Sequence, residues 1–401
     1  MTFKFGIDQL LSSPVRLKEL RSSKVGLIAH PASVSSGNQH SLDALMGIDC
    51  HITRAFGPQH GMRGDKQDNM IESSDYLDQT HQIPIVSLYG EHRYPTKEML
   101  EDLDIVLFDL QDVGCRIYTF ITTLKYFVEA CAIHKCKLWV LDRPNPAGRP
   151  IDGLRLEAGQ ESFVGCAELP TRHGLTTGEL ALWFNSIAAE PAELEIIEMT
   201  DYDPNERPGY GWPSNIRPWI NPSPNAASLN MCRSFPGTVL LEGTVLSEGR
   251  GTTIPLEVIG APDFPAQEIL ELMMEQCPEW LEGVYLRLCF FEPTFHKHVG
   301  EMCTGIQIHT DYANYQHGKF KPYRLIAGIL KGLKMLYPKA DLWRHHDYEY
   351  EKNRSPIDII NGGSGLRHWV EDDSLDFESF EAQLQRDELE WAEERKPFLI
   401  Y

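Results

Sequence analysis

The stretch Asp104-Ile105-Val106-Leu107-Phe108-Asp109-Leu110-Gln111-Asp112-Val113-Gly114-Cys115-Arg116-Ile117-Tyr118 decides the fold, together with the segment from there to Asp142. An unbroken apolar run enters, a polar tip with a glycine comes next, and then Ile121, Leu124, Val128 and Cys131 recur at three- and four-residue steps. That spacing predicts an amphipathic helix over Tyr118 to His134. A second apolar run, Lys137 to Asp142, comes directly after it. A continuous apolar strand is one buried on both faces, and two such strands joined by a crossover helix make a parallel pair.

On either side the same texture repeats. Lys24 to His30, His51 to Phe56, Ile83 to Leu88 and Leu194 to Met199 are further strands, and Thr177 to Ala189 is a helix capped by Thr176 or Thr177. The first half is therefore α/β, a parallel sheet covered by helices. From Asp201 to Asn225 the chain is rich in Pro, Gly, Asn and Trp, which neither helix nor central strand accommodates, so a long ordered loop is predicted. Beyond Pro262 and Pro265 the pattern changes to a helix (Ala266 to Cys277), strands (Val284 to Phe291, Thr304 to Thr310), a helix (Tyr323 to Leu336) and an acidic amphipathic helix within Asp372 to Arg395. A boundary near 262 divides the chain into residues 1–261 and a smaller α+β domain, 262–401.

Composition narrows the function. With 37 basic and 58 acidic residues the net charge is -21, and no basic run is present, which argues against nucleic acid and anionic membrane surfaces as partners. Nine cysteines, an odd number without a CxxC pair, suggest buried free thiols rather than disulfides or a zinc knuckle. Met1 to Leu11 lacks the apolar stretch of a secretory signal, and no segment reaches the length of a membrane span. The expectation is a cytoplasmic protein, or a periplasmic or secreted one if a leader has been removed.

In open α/β sheets ligands bind beyond the carboxyl ends of the strands. Three strand exits there are densely polar: Gly57-Pro58-Gln59-His60-Gly61-Met62-Arg63-Gly64-Asp65, the tip after Leu107, and Asp142-Arg143-Pro144-Asn145-Pro146. They gather His60, Arg63, Asp109, Gln111, Asp112, Arg116, Asp142, Arg143 and Asn145 at one edge. Any one of these residues could be a cap or an inter-loop ion pair; the group as a whole points to a ligand. A fourth cluster, Leu241-Glu242-Gly243-Thr244 with Ser247-Glu248-Gly249-Arg250-Gly251-Thr252-Thr253, brackets Arg250 with glycines that would let the backbone approach a ligand, or forms a turn with a local ion pair. Asn225 and Thr171-Arg172-His173-Gly174 add polar groups. No GxGxxG follows the first strand, and neither a Walker A sequence nor a GxSxG elbow occurs. His296-x-His298, expected on one strand face, and His345-His346 lack a carboxylate at ligand spacing, so no metal site is expected. Trp212 and Trp219 are either platforms for a sugar ring or anchors of the loop.

Gly57 to Asp65, Asp109 to Tyr118, Leu141 to Pro146, Pro222 to Asn225, Phe235-Pro236-Gly237, Glu242 to Thr253 and Glu257 to Pro262 together resemble the exo-β-N-acetylmuramidase (NamZ-type) family, glycoside hydrolase family 171. The resemblance runs from about Gly6 to the C-terminus. It implies a Rossmann-like N-terminal domain, a smaller C-terminal domain, a cleft between them, and no nucleotide cofactor. It further implies a hydrolase of peptidoglycan and of cell-wall recycling, which releases terminal N-acetylmuramic acid from the non-reducing end of peptidoglycan-derived glycans. One departure matters. The family motif Pro-Glu-His-Gly stands here as Pro58-Gln59-His60-Gly61, and an amide cannot donate a catalytic proton. Gln59 thus occupies a catalytic position without a carboxyl; Glu91, after another strand, is one replacement, and a muropeptide-binding protein without hydrolytic activity is the alternative.

Glycoside cleavage takes one protonated carboxyl and a second carboxylate. The expected pair is Glu248 and Asp112, with Asp109 three residues from Asp112 and His60 as proton carrier or orienter; substrate-assisted attack by the acetamido group is the other route. Muramic acid carries a lactyl carboxylate, for which Arg63, Arg116, Arg143 and Arg250 are the candidate partners. Gln111, Tyr118, Asn145, His173 and Asn225 complete the expected substrate contacts.

Overall fold

The structure, a computed structural model, describes residues 3–64 and 72–401. Its centre is a seven-stranded sheet made from β1 (Val25–Ala29), β2 (Ile52–Gly57), β3 (Tyr76–Leu77), β4 (Pro84–Ser87), β5 (Ile105–Asp109), β6 (Lys137–Leu141) and, later in the chain, Leu194–Ile197. The spatial order is β3-β4-β2-β1-β5-β6 and then Leu194–Ile197. Every pairing is parallel except β3 with β4. Since β1 leads to β2 on one side and is flanked by β5 on the other, the strand order reverses between β1 and β5, where a crevice opens at the carboxyl edge. All six predicted strands are present, with ends that differ from expectation by a residue or two.

The sheet is buried because its strands supply apolar side chains to both faces. Ile28, Phe56, Val106, Phe108 and Val140 point into one core, while Leu27, Ala55, Leu107, Trp139 and Leu141 point into the other. The crossover helix Phe120–His134 buries Ile121, Leu124, Val128 and Cys131, the positions its periodicity picks out. Thr176 caps the helix Thr177–Ile187 in a capping box with Glu179.

Some elements escape the sequence patterns. A two-stranded sheet, β7 (Asp152–Arg155) with β8 (Pro170–Arg172), interrupts the first half. Beyond the Pro-rich loop, the helix Leu229–Thr238 contains Pro236, which sequence rules treat as a breaker. Pro236 lies in the last turn, and Gly237 lets another segment come close: a Cβ there would meet the Pro322 carbonyl oxygen at 2.0 Å.

The C-terminal part builds a three-stranded antiparallel sheet in the order Val258–Ala261, Cys303–His309, Tyr285–Phe291. The strand Val258–Ala261 thus belongs with the α+β portion. The first core continues without a break into Ile326, Ile329, Trp369 and Trp391, so both portions share it. The acidic helix, Phe377–Arg395, is amphipathic as expected: it buries Phe377, Phe380, Leu384 and Trp391 and keeps Glu378, Gln385, Glu390 and Glu393 in solvent. It folds back on the first half, where Trp391 Nε1 donates to the His173 carbonyl (2.8 Å) and Arg155 pairs with Glu394 (2.7 Å). All nine cysteines are free and buried. Among the described residues no helix is long and apolar enough to cross a membrane.

Candidate active site

The loop after β2, the polar tip after β5, the Pro-rich loop and the Glu242 to Arg250 segment converge. Together with Tyr348 and Glu349 they line a cavity with an empty volume of about 530 Å³. Gln59, His60, Tyr118, Asn225 and Arg250, all expected from the sequence, are on its wall, and Glu242 lies beside them. His60 adopts a left-handed backbone, φ 71°, which a non-glycine residue holds only under constraint. Asp65, at the end of that motif, lies outside the described residues.

Among the described residues two carboxyl groups border the cavity, and their surroundings differ. Glu349 accepts hydrogen bonds from the Tyr89 hydroxyl (2.9 Å) and the Gln59 amide (3.1 Å). Burial pushes its carboxyl up to about 7; those two donors oppose the rise, and the charge of Glu242 adds to it. Glu242 accepts from the Arg250 guanidinium and the Tyr348 hydroxyl, each at 2.6 Å. Burial keeps a proton on Glu349, while Glu242 is paired with a guanidinium; two like groups in different surroundings are how a fold separates acid and base roles. Gln59 serves this arrangement as an amide: its carbonyl accepts from the Thr119 hydroxyl (2.7 Å) while its nitrogen faces Glu349.

Glu248 is placed differently from expectation. It sits behind Arg250, fully buried, and does not border the cavity. Lys297 (2.6 Å), Arg250 (3.1 Å) and His296 (3.5 Å) surround it. Burial alone would raise its carboxyl, but Lys297 and Arg250 outweigh that and hold it at about 2, the opposite of what a proton donor needs. Asp112 has no partner in common with Glu248: it accepts from the Gly114 amide (2.6 Å) and lies 3.8 Å from His173. The glycines beside Arg250 serve packing instead of ligand approach. Gly251 is left-handed at φ 84°, and a Cβ on it would meet the Phe295 backbone at 2.7 Å.

Most of the other expected contacts are spent within the protein. Arg116 donates to the carbonyls of Leu154, Leu169, Ile360 and Asn361, tying both halves of the chain together. Arg143 pairs with Asp109 at 2.6 Å, Arg63 pairs with Asp78 at 2.5 Å, and Asn145 donates to the Leu175 carbonyl. The Gln111 amide donates to the Asp112 and Pro144 carbonyls. Asp142 receives the Thr176 hydroxyl and the Gly178 amide at a helix start. His173 accepts from the Leu175 amide inside the core. Glu91 is exposed beside His92. His296 and His298 lie in a turn with left-handed backbones, not on a strand. Trp212 and Trp219 anchor the Pro-rich loop by donating to the Arg217 and Ala226 carbonyls, and neither borders the cavity.

Sequence reasoning missed Glu349, Tyr348 and Tyr89. The run Asp347-Tyr348-Glu349-Tyr350-Glu351 alternates acid and aromatic with no glycine or strand before it and reads as surface. Only the fold shows that Glu349 and Tyr350 both take left-handed backbones, φ 44° and 72°, which aim Glu349 inward.

Comparison with known proteins agrees with this architecture. The family model for the N-terminal part of exo-β-N-acetylmuramidase NamZ matches residues 25–230, and that for its C-terminal part matches 233–401. The peptidoglycan β-N-acetylmuramidase NamZ of Bacillus subtilis (strain 168) is 37% identical over 401 residues, covering 99% of this chain and 91% of that protein. Two crystal structures of DUF1343 family proteins from Bacteroides fragilis superpose with TM-scores of 0.84 and 0.75 at 27% and 25% identity, each covering 100% of this chain and 99% of the other. With both family models filling the chain from strand β1 to its last residue, this protein belongs to the exo-β-N-acetylmuramidase NamZ family.

Proposed function

We propose that this chain is an exo-acting β-N-acetylmuramidase that releases N-acetylmuramic acid from the non-reducing end of peptidoglycan-derived glycans. The observation that carries this reading is the pair of buried carboxyl groups, Glu349 and Glu242, on one cavity in opposite hydrogen-bonding environments. Glu349 gives its proton to the glycosidic oxygen as the bond from that oxygen to C1 breaks. Glu242 faces the positive charge that develops at C1, as base toward water or as nucleophile. Water supplies a hydroxyl to C1; its remaining proton goes to Glu242 where that group is the base, and exchange with solvent then restores Glu349, or goes to Glu349 directly where Glu242 is the nucleophile. The B. subtilis relative bears the name of this activity, and family membership supports its transfer here. The Gln59 amide does not count against it, since the proton donor in this scheme is Glu349.

Incubation with the MurNAc-GlcNAc disaccharide should yield free N-acetylmuramic acid. The acid must hold its proton, so kcat should fall as pH rises through about 7. No product, or release of N-acetylglucosamine from the non-reducing end, would overturn the reading; a rate that climbs from pH 7 to 8 would remove Glu349 as the acid.

Arg250 is the guanidinium on the cavity wall suited to the lactyl carboxylate. Arg250→Lys should lower kcat/KM on muramides about tenfold more than on the matching glucosaminides. Equal losses on both would exclude that contact.

A further inference from the structure

A second cavity, with about 1440 Å³ of empty volume, opens on the far side of Glu349. Three consecutive residues form the partition. Tyr348 lines only the first cavity, Glu349 lines both, and Tyr350 lines only the second. The left-handed backbones at Glu349 and Tyr350 turn these neighbours to opposite sides of the wall. The second cavity is also faced with aromatic rings. Phe163 and Tyr126 lie within 6.5 Å of each other at 31°, and Arg93 stands 3.7 Å over the Tyr350 ring.

Taking the function proposed above as its premise, we infer that this second cavity holds the leaving-group side of the glycan, beginning with the uncharged acetamido sugar bonded to muramic acid. An acid that protonates a glycosidic oxygen serves an atom shared by two sugars, so it must border both rooms. Among the described residues, Glu349 is the carboxyl that lines both. Both cavities open to solvent, and the second is the larger, as a chain that continues outward requires. The C–H faces of pyranose rings pack on aromatic rings while their hydroxyls reach polar tips, and the Tyr126 and Tyr350 rings offer both. The bond broken and the proton moved are those of the hydrolysis itself; the second cavity contributes binding and alignment of the departing oxygen.

The test compares the wild type with Tyr126→Ala on a tetrasaccharide of alternating muramic acid and glucosamine, and measures inhibition by free N-acetylmuramic acid in both. The variant should lose about tenfold in kcat/KM on the tetrasaccharide, while the inhibition constant of the monosaccharide, which needs only the first cavity, should stay within about twofold. Tyr350→Leu, at a half-exposed ring, should behave the same way and decides the matter if Tyr126→Ala does not fold. If wild type and variants cleave the tetrasaccharide equally well, or if monosaccharide inhibition weakens in step with cleavage, the inference is overturned and the muramidase reading stands. If the wild type releases no muramic acid at all, the muramidase reading falls first and takes this inference with it.

Discussion

Glu349→Gln is expected to lower kcat on muramides about a thousandfold, in the middle of the range for removing a general acid. The amide has nearly the same shape and can keep a hydrogen bond with Tyr89, so the loss should fall on turnover and not on assembly of the cavity. A stability measurement separates the two. Because the folded-state carboxyl titrates at about 7, well above its unfolded value, the folded protein holds a proton that the unfolded chain gives up. Stability therefore declines as pH rises from about 4.5 to 7, by up to about 3 kcal/mol from this group. The neutral amide carries no such penalty. Denaturant melts should show the variant gaining on the wild type at pH 8 and matching it near pH 4. A variant turning over within tenfold of the wild type would strip Glu349 of its role.

Glu248→Gln should cost about 3 to 5 kcal/mol of stability, the expense of leaving Arg250 and Lys297 buried with a reduced counter-charge. Lys297 also donates to the carbonyls of Leu241, Thr244 and Leu246, so loosening it frees the segment that presents Glu242. Activity should decline as well, through a displaced Arg250. The wild-type pair has its own acid signature. A carboxylate held at about 2 contributes stability above its unfolded value near 4.5 and loses it as pH falls from there towards 2. Urea melts at pH 7 that superpose for variant and wild type would show the buried cluster to be worth nothing.

The sheet was legible because a parallel strand buried on both faces writes itself as an unbroken apolar run, as Ile105–Asp109 and Lys137–Leu141 do. The crossover helix was legible from the period of Ile121, Leu124 and Val128. The loop tips could be placed at one edge from topology alone, and Gln59, His60, Tyr118, Asn225 and Arg250 do meet there. What periodicity cannot say is which charged side chain on a tip faces solvent space and which is consumed by protein. Arg116 looks like a ligand-binding arginine, yet four carbonyls from distant segments take its donors. Arg143 and Asp109 satisfy one another across neighbouring strands. Glu349 was illegible for the converse reason. It comes 290 residues after its hydrogen-bond partner Gln59, and its local alternation of acid and aromatic reads as surface, so only the docking of the C-terminal part against the sheet makes it a site residue.

The nine buried thiols give the molecule a property of their own. Burial pushes Cys115 and Cys277 up to about 12, so in the native state neither the reactive thiolate nor a path for a reagent is present. They are distributed from Cys50 to Cys303, through both portions of the chain. Alkylation of Cys115 and Cys277 therefore waits on local opening, which makes these two thiols, one in each portion, intrinsic clocks for how the two halves come apart.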